Sequence, residues 1–462
     1  MNEYQTALSA ARALHEAGFE AYIIGGAVRD LLLDRHPKDF DIATNATPDQ
    51  VQSIPKLKKS TYKDTAQAYG VTRIKINDHT LEIATFRKDI EAHKGRKHTK
   101  VEFTELEDDL ARRDFTINTL ALDPLTSQVI DYEGGLDDLQ NRTLRFIGDP
   151  LARIHEDPLR VLRAIRFRNL LGFNYEQDTY DALSTAVKSG AIETIAIDRL
   201  RHELSLMLTH RSRRTSLEDL DKFGILERVL PEVTAGKRVE QPPEFHAEGD
   251  VWTHQLLVME SLPANPNHQL AWAALLHDIG KARTQTLPKA KSDRIRFNRH
   301  YEVSADMARE ILCRLRFSNR DTELITWMIY HHINIDDLPQ MRISHQKAML
   351  GHPAFADLLK LHKADAMASW HDGKPRSKPR FNEIETIWRQ YLAHPPEKRH
   401  PSLKKDLGID GNWLLKKFGK ELSLTQGPII GEVLQALEEE YQDTGKKEKS
   451  FYKKRAKELI CG

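Results

Sequence analysis

Asp39 and Asp41 stand on either side of one phenylalanine in "KDFDIAT", just after "GGAVRD" at residues 25–30. In an extended run alternate residues project to one face, so both carboxylates point the same way. Paired carboxylates suit Mg²⁺, a hard cation that takes oxygen ligands and keeps positions for water and phosphate. Such ions activate an attacking hydroxyl and steady the departing phosphate of an in-line displacement. Gly25 and Gly26 would let backbone approach a triphosphate closely, and Arg29 is spaced to neutralise it. A lone D-x-D is usually a surface turn. A strand, a glycine pair and an Arg-Asp between residues 21 and 41 make that reading poor.

A second set lies in "EDPLRVLRAIRF", residues 156–167. If one helix carries the run, Asp157 and Arg160 are three apart and share a face with Arg163, with Arg166 further along. A carboxylate only accepts hydrogen bonds and a guanidinium only donates. Together they complement the amino group and ring acceptor of cytosine or adenine, whereas uracil and guanine set a carbonyl against the carboxylate. The third set is spread over "VWTHQLLVME", "WAALLHDIGKA", "FNRHYEVSA", "IYHHIN" and "LHKADAMAS". It brings His254, His277, Asp278, His300, His331, His332 and Asp365 into one helical segment. Imidazole and carboxylate ligands drawn from several helices suit a divalent transition metal that polarises water for phosphate hydrolysis.

Several domains must position these sets, because 462 residues exceed one ordinary core. Strand-like runs "EAYIIGG", "FDIAT", "GVTRIKI" and "HTLEIATF" predict a small α/β unit over 1–147. Within it the polar stretch 87–105 reads as a loop. Continuous helical patterning follows over 148–238. A linker, "KRVEQPPEF", precedes a histidine-rich helical segment, 239–373. Another, "HDGKPRSKPRFN", precedes a lysine-rich helical end, 374–462, where Phe451 and Tyr452 are expected to pack. The charges balance, Lys+Arg 69 against Asp+Glu 68, so any anion-binding surface is local. Two cysteines, Cys313 and Cys461, make neither a disulfide framework nor a cysteine cluster. No apolar stretch approaches the roughly 18 residues of a membrane span. The N-terminus is acidic and amphipathic, unlike a signal peptide. A soluble, cytoplasmic protein is expected.

The ordered motifs resemble the CCA-adding enzymes and bacterial poly(A) polymerases over about residues 20 to 235. The resemblance implies an α+β multidomain chain, a polymerase-beta-like palm followed by an all-helical neck and further helical domains. It implies a tRNA nucleotidyltransferase using CTP, ATP and Mg²⁺, with Asp39, Asp41 and Glu82 as catalytic carboxylates. "RRDFTIN", residues 112–118, resembles the segment that contacts ribose and triphosphate and assigns Arg112, Asp114 and Asn118. Asp157 and Arg160 match the family's nucleotide-selecting pair, and "DRLRHEL", residues 198–204, a motif that braces it. The third set resembles the HD phosphohydrolases, whose ligand pattern assigns His254, His277, Asp278 and Asp365. Their metal would be Ni²⁺, Mn²⁺ or similar, with His300 and His331 or His332 serving a second metal or a phosphate. Some relatives of this domain order act as phosphatases or 2′,3′-cyclic phosphodiesterases. Residues 407–440 are similar to the family's RNA-binding end. The neighbouring alternatives are a CC-adding or A-adding partial enzyme and a poly(A) polymerase. A different class would be an HD phosphohydrolase whose front half only binds RNA. The charged loop after "ATFR", with Lys94, Arg96, Lys97 and Lys100 among Asp89, Glu91 and Glu102, is the expected lever for adding the final A.

Overall fold

In a computed structural model the chain divides into two compact units, residues 1–229 and 230–462. The structure describes residues 2–58, 70–76, 79–89, 101–244, 246–290, 293–371, 374–375, 380–395, 399, 402–420 and 427–461. The charged run at 91–100 that was read as a lever lies outside them.

The first unit is built on strands β1 (Ala21–Ile24), β2 (Asp41–Thr44), β3 (Val71–Ile76), β4 (His79–Thr85), β5 (Arg87–Asp89), β6 (Val101–Phe103), β7 (Ala121–Leu122) and β8 (Val129–Ile130). Six of them form one mixed sheet in the order β3-β4-β2-β1-β7-β8. The apolar, β-branched run "AYII" pairs antiparallel with β2, Ile24 opposite Asp41. Strand β2 pairs parallel with β4, Asp41 opposite Glu82. Asn2 caps the helix Glu3–Glu16, which packs its small residues Ala7, Ala10, Ala11 and Leu14 against the sheet.

The sequence reading needs three corrections of element. The ends of the stretch read as a loop are a hairpin stem, β5 against β6. The charged "RKD" gives no apolar alternation and "VEF" is too short to establish one, so backbone pairing marks them. The run read as one helix over 156–167 is two, Pro150–Glu156 and Leu159–Leu171. Asp157 is extended (φ −144°, ψ 98°), as a residue before proline prefers. A short parallel pair, Thr143–Leu144 with Asn174–Tyr175, also interrupts the helices of the neck.

The second unit is helical. Val251–Ser261, His268–Leu276, His300–Arg314, Asn319–His331 and Phe355–Ala368 surround a core that includes Trp272, Leu275, Ile329 and Leu358. The hairpin Gln285–Thr286/Arg296–Phe297 stands between two of these helices, so Phe297 is a strand residue and His300 the first of its helix. The C-terminal end packs its own cluster, including Leu414, Phe418, Leu437 and Tyr452. Tyr452 packs as expected, its hydroxyl donating to the carbonyl of Lys446 (2.9 Å). Among the described residues no helix is long and apolar enough to cross a membrane.

Candidate functional site

In the first unit, Asp39 precedes β2 by two residues and Asp41 opens it, with Glu82 beside Asp41 on β4. All three carboxylates therefore crowd one end of the sheet. The Asp41 tip is open to solvent, but its surroundings are protein. That desolvation, then the charges of Asp39 and Glu82, push its carboxyl up to about 6, against the pull of Arg113. A hard dication relieves this repulsion, so the donor set fits Mg²⁺. Glu82 also accepts from Arg73 Nε at 2.8 Å.

Gly25 also has a structural part. The amide of Gly25 donates to the carbonyl of Leu120 (3.0 Å) and is used inside the sheet. What the position requires is φ 71° and no side chain, because a Cβ would stand 2.9 Å from Arg113 Nη1. Arg113, which the motif reading passed over, thus lies between Gly25 and the carboxylates. Asp109 accepts from both Arg112 (2.8 Å) and Arg113 (3.3 Å).

Arg29, Asn118, Asp114 and Arg163 come together in one chain of hydrogen bonds. Arg29 Nη1 donates to Asn118 Oδ1 (2.7 Å), and Asn118 Nδ2 to Asp114 Oδ1 (3.0 Å). Arg163 Nε donates to Asp114 Oδ2 (2.8 Å). Burial opposes the charge of Asp114, but Arg163, Asn118 and the Phe115 amide hold its carboxyl below the usual range. Glu203, buried on the helix Ile197–Thr209, ties Arg166 (2.6 Å) to the same cluster. Phe167 lies under the guanidiniums of Arg29, Arg163 and Arg166, at 5.2, 5.3 and 4.3 Å from its ring centre.

The amide of Arg160 donates to the carbonyl of Asp157 (3.0 Å), but their side chains have different partners. Arg199 grips Asp157 through both nitrogens, at 3.0 and 2.7 Å. Arg160 donates to the carbonyls of Arg153 (2.8 Å) and Arg112 (3.2 Å) and to Glu156 (2.6 Å). Both partners in the "DRLRHEL" run, Arg199 and Glu203, were visible in the sequence, but nothing local links them to residues some forty positions away.

In the second unit, Asp278 is the hub. Its Oδ2 lies 3.2 Å from His277 Nε2, 3.6 Å from His254 Nε2 and 2.8 Å from Lys281 Nζ. Its Oδ1 lies 3.3 Å from His300 Nε2 and 3.6 Å from His332 Nε2. Asp365 Oδ1 faces His254 Nε2 at 3.2 Å. The structure thus selects His332 over His331, whose ring lies against Trp327 and Tyr330. Each ring is turned by its other nitrogen. His277, His300 and His332 present Nδ1 to the carbonyls of Ala274, Phe297 and Ile329 (2.8, 2.9 and 2.6 Å), and His254 presents its own to Glu248 (2.9 Å). Second-layer contacts of this kind orient metal-binding imidazoles. His254 Nε2, His277 Nε2, His300 Nε2 and Asp278 Oδ1 are buried without a hydrogen-bond partner, so a divalent metal fits the set.

The electrostatics follow. Burial opposes charge on His254, yet the facing carboxylates of Asp365 and Glu248 raise it to about 9. Glu248 falls to about 2 despite its own desolvation, because His246, His254 and the Trp370 amide bind its charged form. His332, burdened mainly by burial, falls to about 4 and is neutral. Gly280 seats this assembly: a Cβ there would meet the carbonyl of His300 at 2.5 Å and the amide of Ser304 at 2.6 Å. A cavity of about 570 Å³ opens over the hub, lined by Lys281, Arg294, Arg296 and Asp365 among others. The sequence reading missed Lys281, although "HDIGK" sets it one helical turn from Asp278. It also missed His246 and Glu248, which lie just past the "KRVEQPPEF" linker and before the helix Val251–Ser261.

Comparisons with known proteins agree with this division. The Poly A polymerase head domain family matches residues 21–145, the HD domain family residues 251–368, and the "Probable RNA and SrmB- binding site of polymerase A" residues 172–237. The CCA-adding enzyme of Streptococcus gordonii is 31% identical over 443 residues, 95% of this chain and 92% of that one. That of Bacillus pumilus is 38% identical over 287 residues, 61% of this chain and 65% of that one. A solved structure of the Bacillus stearothermophilus CCA-adding enzyme in complex with CTP has a TM-score of 0.71 and 23% identity, covering 99% of this chain and 98% of that one. With a head domain that carries paired carboxylates on its central sheet, and a full-length relative above 30% identity, this chain belongs to the CCA-adding tRNA nucleotidyltransferases.

Proposed function

We propose that the first unit transfers CMP and AMP from CTP and ATP to the 3′ end of tRNA, and that the second is a metal-dependent phosphohydrolase. The observation that supports the transferase reading is the convergence of Asp39, Asp41 and Glu82 at one sheet end beside Arg113 and the Arg29–Asn118–Asp114–Arg163 chain. Asp39 and Asp41 would hold Mg²⁺, with Glu82 beside them; when bound, the ion supplies charge stabilisation at the transferred phosphoryl group. The tRNA 3′ hydroxyl attacks the α-phosphorus, the bond to pyrophosphate breaks, and the hydroxyl proton is taken up by a carboxylate or by solvent. Arg29, Arg112 and Arg113 neutralise the triphosphate, with Asp109 holding the last two in place. Asp157 and Arg160 read the base, and Arg199 presents the carboxylate of Asp157 to the cytosine or adenine amino group.

The hydrolase reading is supported by the buried, unpartnered Nε2 atoms aimed at Asp278. His254, His277, Asp278 and Asp365 would hold the metal, which supplies polarisation of water toward a phosphate ester when bound. Lys281 stands where it meets a phosphate oxygen.

One experiment tests both readings. Asp39→Ala with Asp41→Ala should stop nucleotide addition to tRNA ending at the discriminator base and leave phosphoesterase activity intact. His277→Ala with Asp278→Ala should do the reverse. Wild-type protein given CTP and ATP should add CCA. A halt at CC would make it a CC-adding enzyme, and a joint loss in either variant with an intact fold would overturn the two-site reading.

A further inference from the structure

We propose that Phe167 is a positioning residue of the transferase site, whose ring gathers the guanidiniums of Arg29, Arg163 and Arg166 into one cluster that receives the phosphate chain of the incoming nucleotide. This rests on the transferase reading above and adds a residue to it.

The three arginines come from two places. Arg29 lies on the helix Gly26–Leu32 beside the sheet, whereas Arg163 and Arg166 lie on Leu159–Leu171 of the neck. Their guanidinium carbons stand 5.2, 5.3 and 4.3 Å from the centre of the Phe167 ring. Cations gathered this closely repel one another, and more strongly where water is scarce. Arg29 and Phe167 are both buried. Carboxylates offset part of the repulsion. Asp30 faces Arg29 at 2.7 Å, Asp114 faces Arg163 at 2.6 Å and Glu203 faces Arg166 at 2.6 Å.

Those three carboxylates already match the three guanidiniums. A fourth would turn the cluster negative and repel a phosphate. An aromatic face attracts a cation through its quadrupole and has no net charge. Phe167 therefore adds attraction among the guanidiniums without cancelling more of their charge. The ring is itself held in place: Phe115 meets it in a T-shaped contact at 5.7 Å between centres and packs in turn on Phe146 at 4.8 Å. Arg166 shows what this support leaves open. Its Nε donates to Glu203, and among the described residues its two Nη groups make no hydrogen bond. A guanidinium fixed by a ring and one carboxylate, with its outer donors unfilled, is ready to take phosphate oxygens. Phe167 also joins a guanidinium from beside the sheet to two from the neck, so one side chain aligns the two faces of the nucleotide site.

The test changes the electrostatics of the ring and hardly its size. Full-length protein is made with monofluoro-, difluoro- or trifluorophenylalanine at position 167 by nonsense suppression, each fluorine drawing charge from the ring face. Binding of CTP and ATP to the tRNA-free protein is measured by equilibrium dialysis with Mg²⁺, and binding of cytidine by competition. Dissociation constants for both nucleotides should rise stepwise with fluorine number, reaching about tenfold for the trifluoro ring. Cytidine, which has no phosphates, should change less than about twofold. In nucleotide addition to tRNA, KM should follow the dissociation constant while kcat stays nearly constant. Circular dichroism checks that each protein is folded at the assay temperature. Should the trifluoro protein not fold, the two lighter substitutions make the same comparison. Dissociation constants that stay flat across the series, or an equal weakening of CTP and cytidine, overturn the positioning role and leave the transferase reading standing. No binding of CTP or ATP by the unsubstituted protein overturns both.

Discussion

Asp41 shows how much one side chain carries. Its folded-state pKa, about 6, is above the ordinary 3.8. The cost behind that shift, desolvation first and then the charges of Asp39 and Glu82, is therefore present in full above pH 6, fades as pH falls, and is absent below 3.8. Asp41→Asn should raise the melting temperature of the EDTA-treated protein at pH 7.5 and change it little at pH 4. An equal effect at both values would mean that the folded surroundings do not disfavour its charged form. The sheet register makes this crowding unavoidable, because Ile24, Asp41 and Glu82 occupy adjacent positions on three neighbouring strands.

At the scale of elements, the break at Asp157–Pro158 matters most. It frees Asp157 from the helix so that Arg199, on Ile197–Thr209, can grip it with both nitrogens. The pair is partly exposed, so Arg199→Ala should cost at most about 1 kcal/mol of stability by chemical denaturation. Selectivity for CTP over UTP should fall roughly tenfold, because the carboxylate that rejects uracil is no longer held. Unchanged selectivity would separate Arg199 from base choice. The sequence disclosed what has a local signature. The i, i+2 spacing of Asp39 and Asp41, the strand patterns and the ordered histidines all did. It hid what depends on single polar partners, whether far along the chain, as Glu203 is from Arg166, or nearby in a stretch without pattern, as Glu248 is before His254. Those pairings have no period. The proline that splits the helix was visible, but the charge pattern across it argued for continuity. The stem of β5 and β6 had no pattern to read.

Across the whole molecule, the chain keeps its two candidate sites in separate compact units, each with its own core. The side chains around Asp278 come from several helices, so a bound metal would add directly to the stability of that packing. Ligand linkage at 100-fold excess over the dissociation constant is worth about 2.7 kcal/mol. Removing metal with a chelator should therefore speed amide exchange in Val251–Ser261, His268–Leu276 and Phe355–Ala368, followed peptide by peptide by mass spectrometry. The helices Leu159–Leu171 and Ile197–Thr209 should keep their protection. Equal loosening of both sets would mean that the units do not melt independently.

Gly280 draws one consequence from that packing. It has no donor atom, yet its bare α-carbon is what allows the first turn of His300–Arg314 to rest against the backbone beside Asp278. Its amide also donates to the hydroxyl oxygen of Ser304 at 2.9 Å. A methyl group there would wedge that turn outward and carry His300 away from the hub. In a saturation mutagenesis screen scored on metal retention, position 280 should tolerate as little as the histidines themselves. The pattern of intolerance would then trace the backbone shape that sets these side chains in place as faithfully as the side chains themselves.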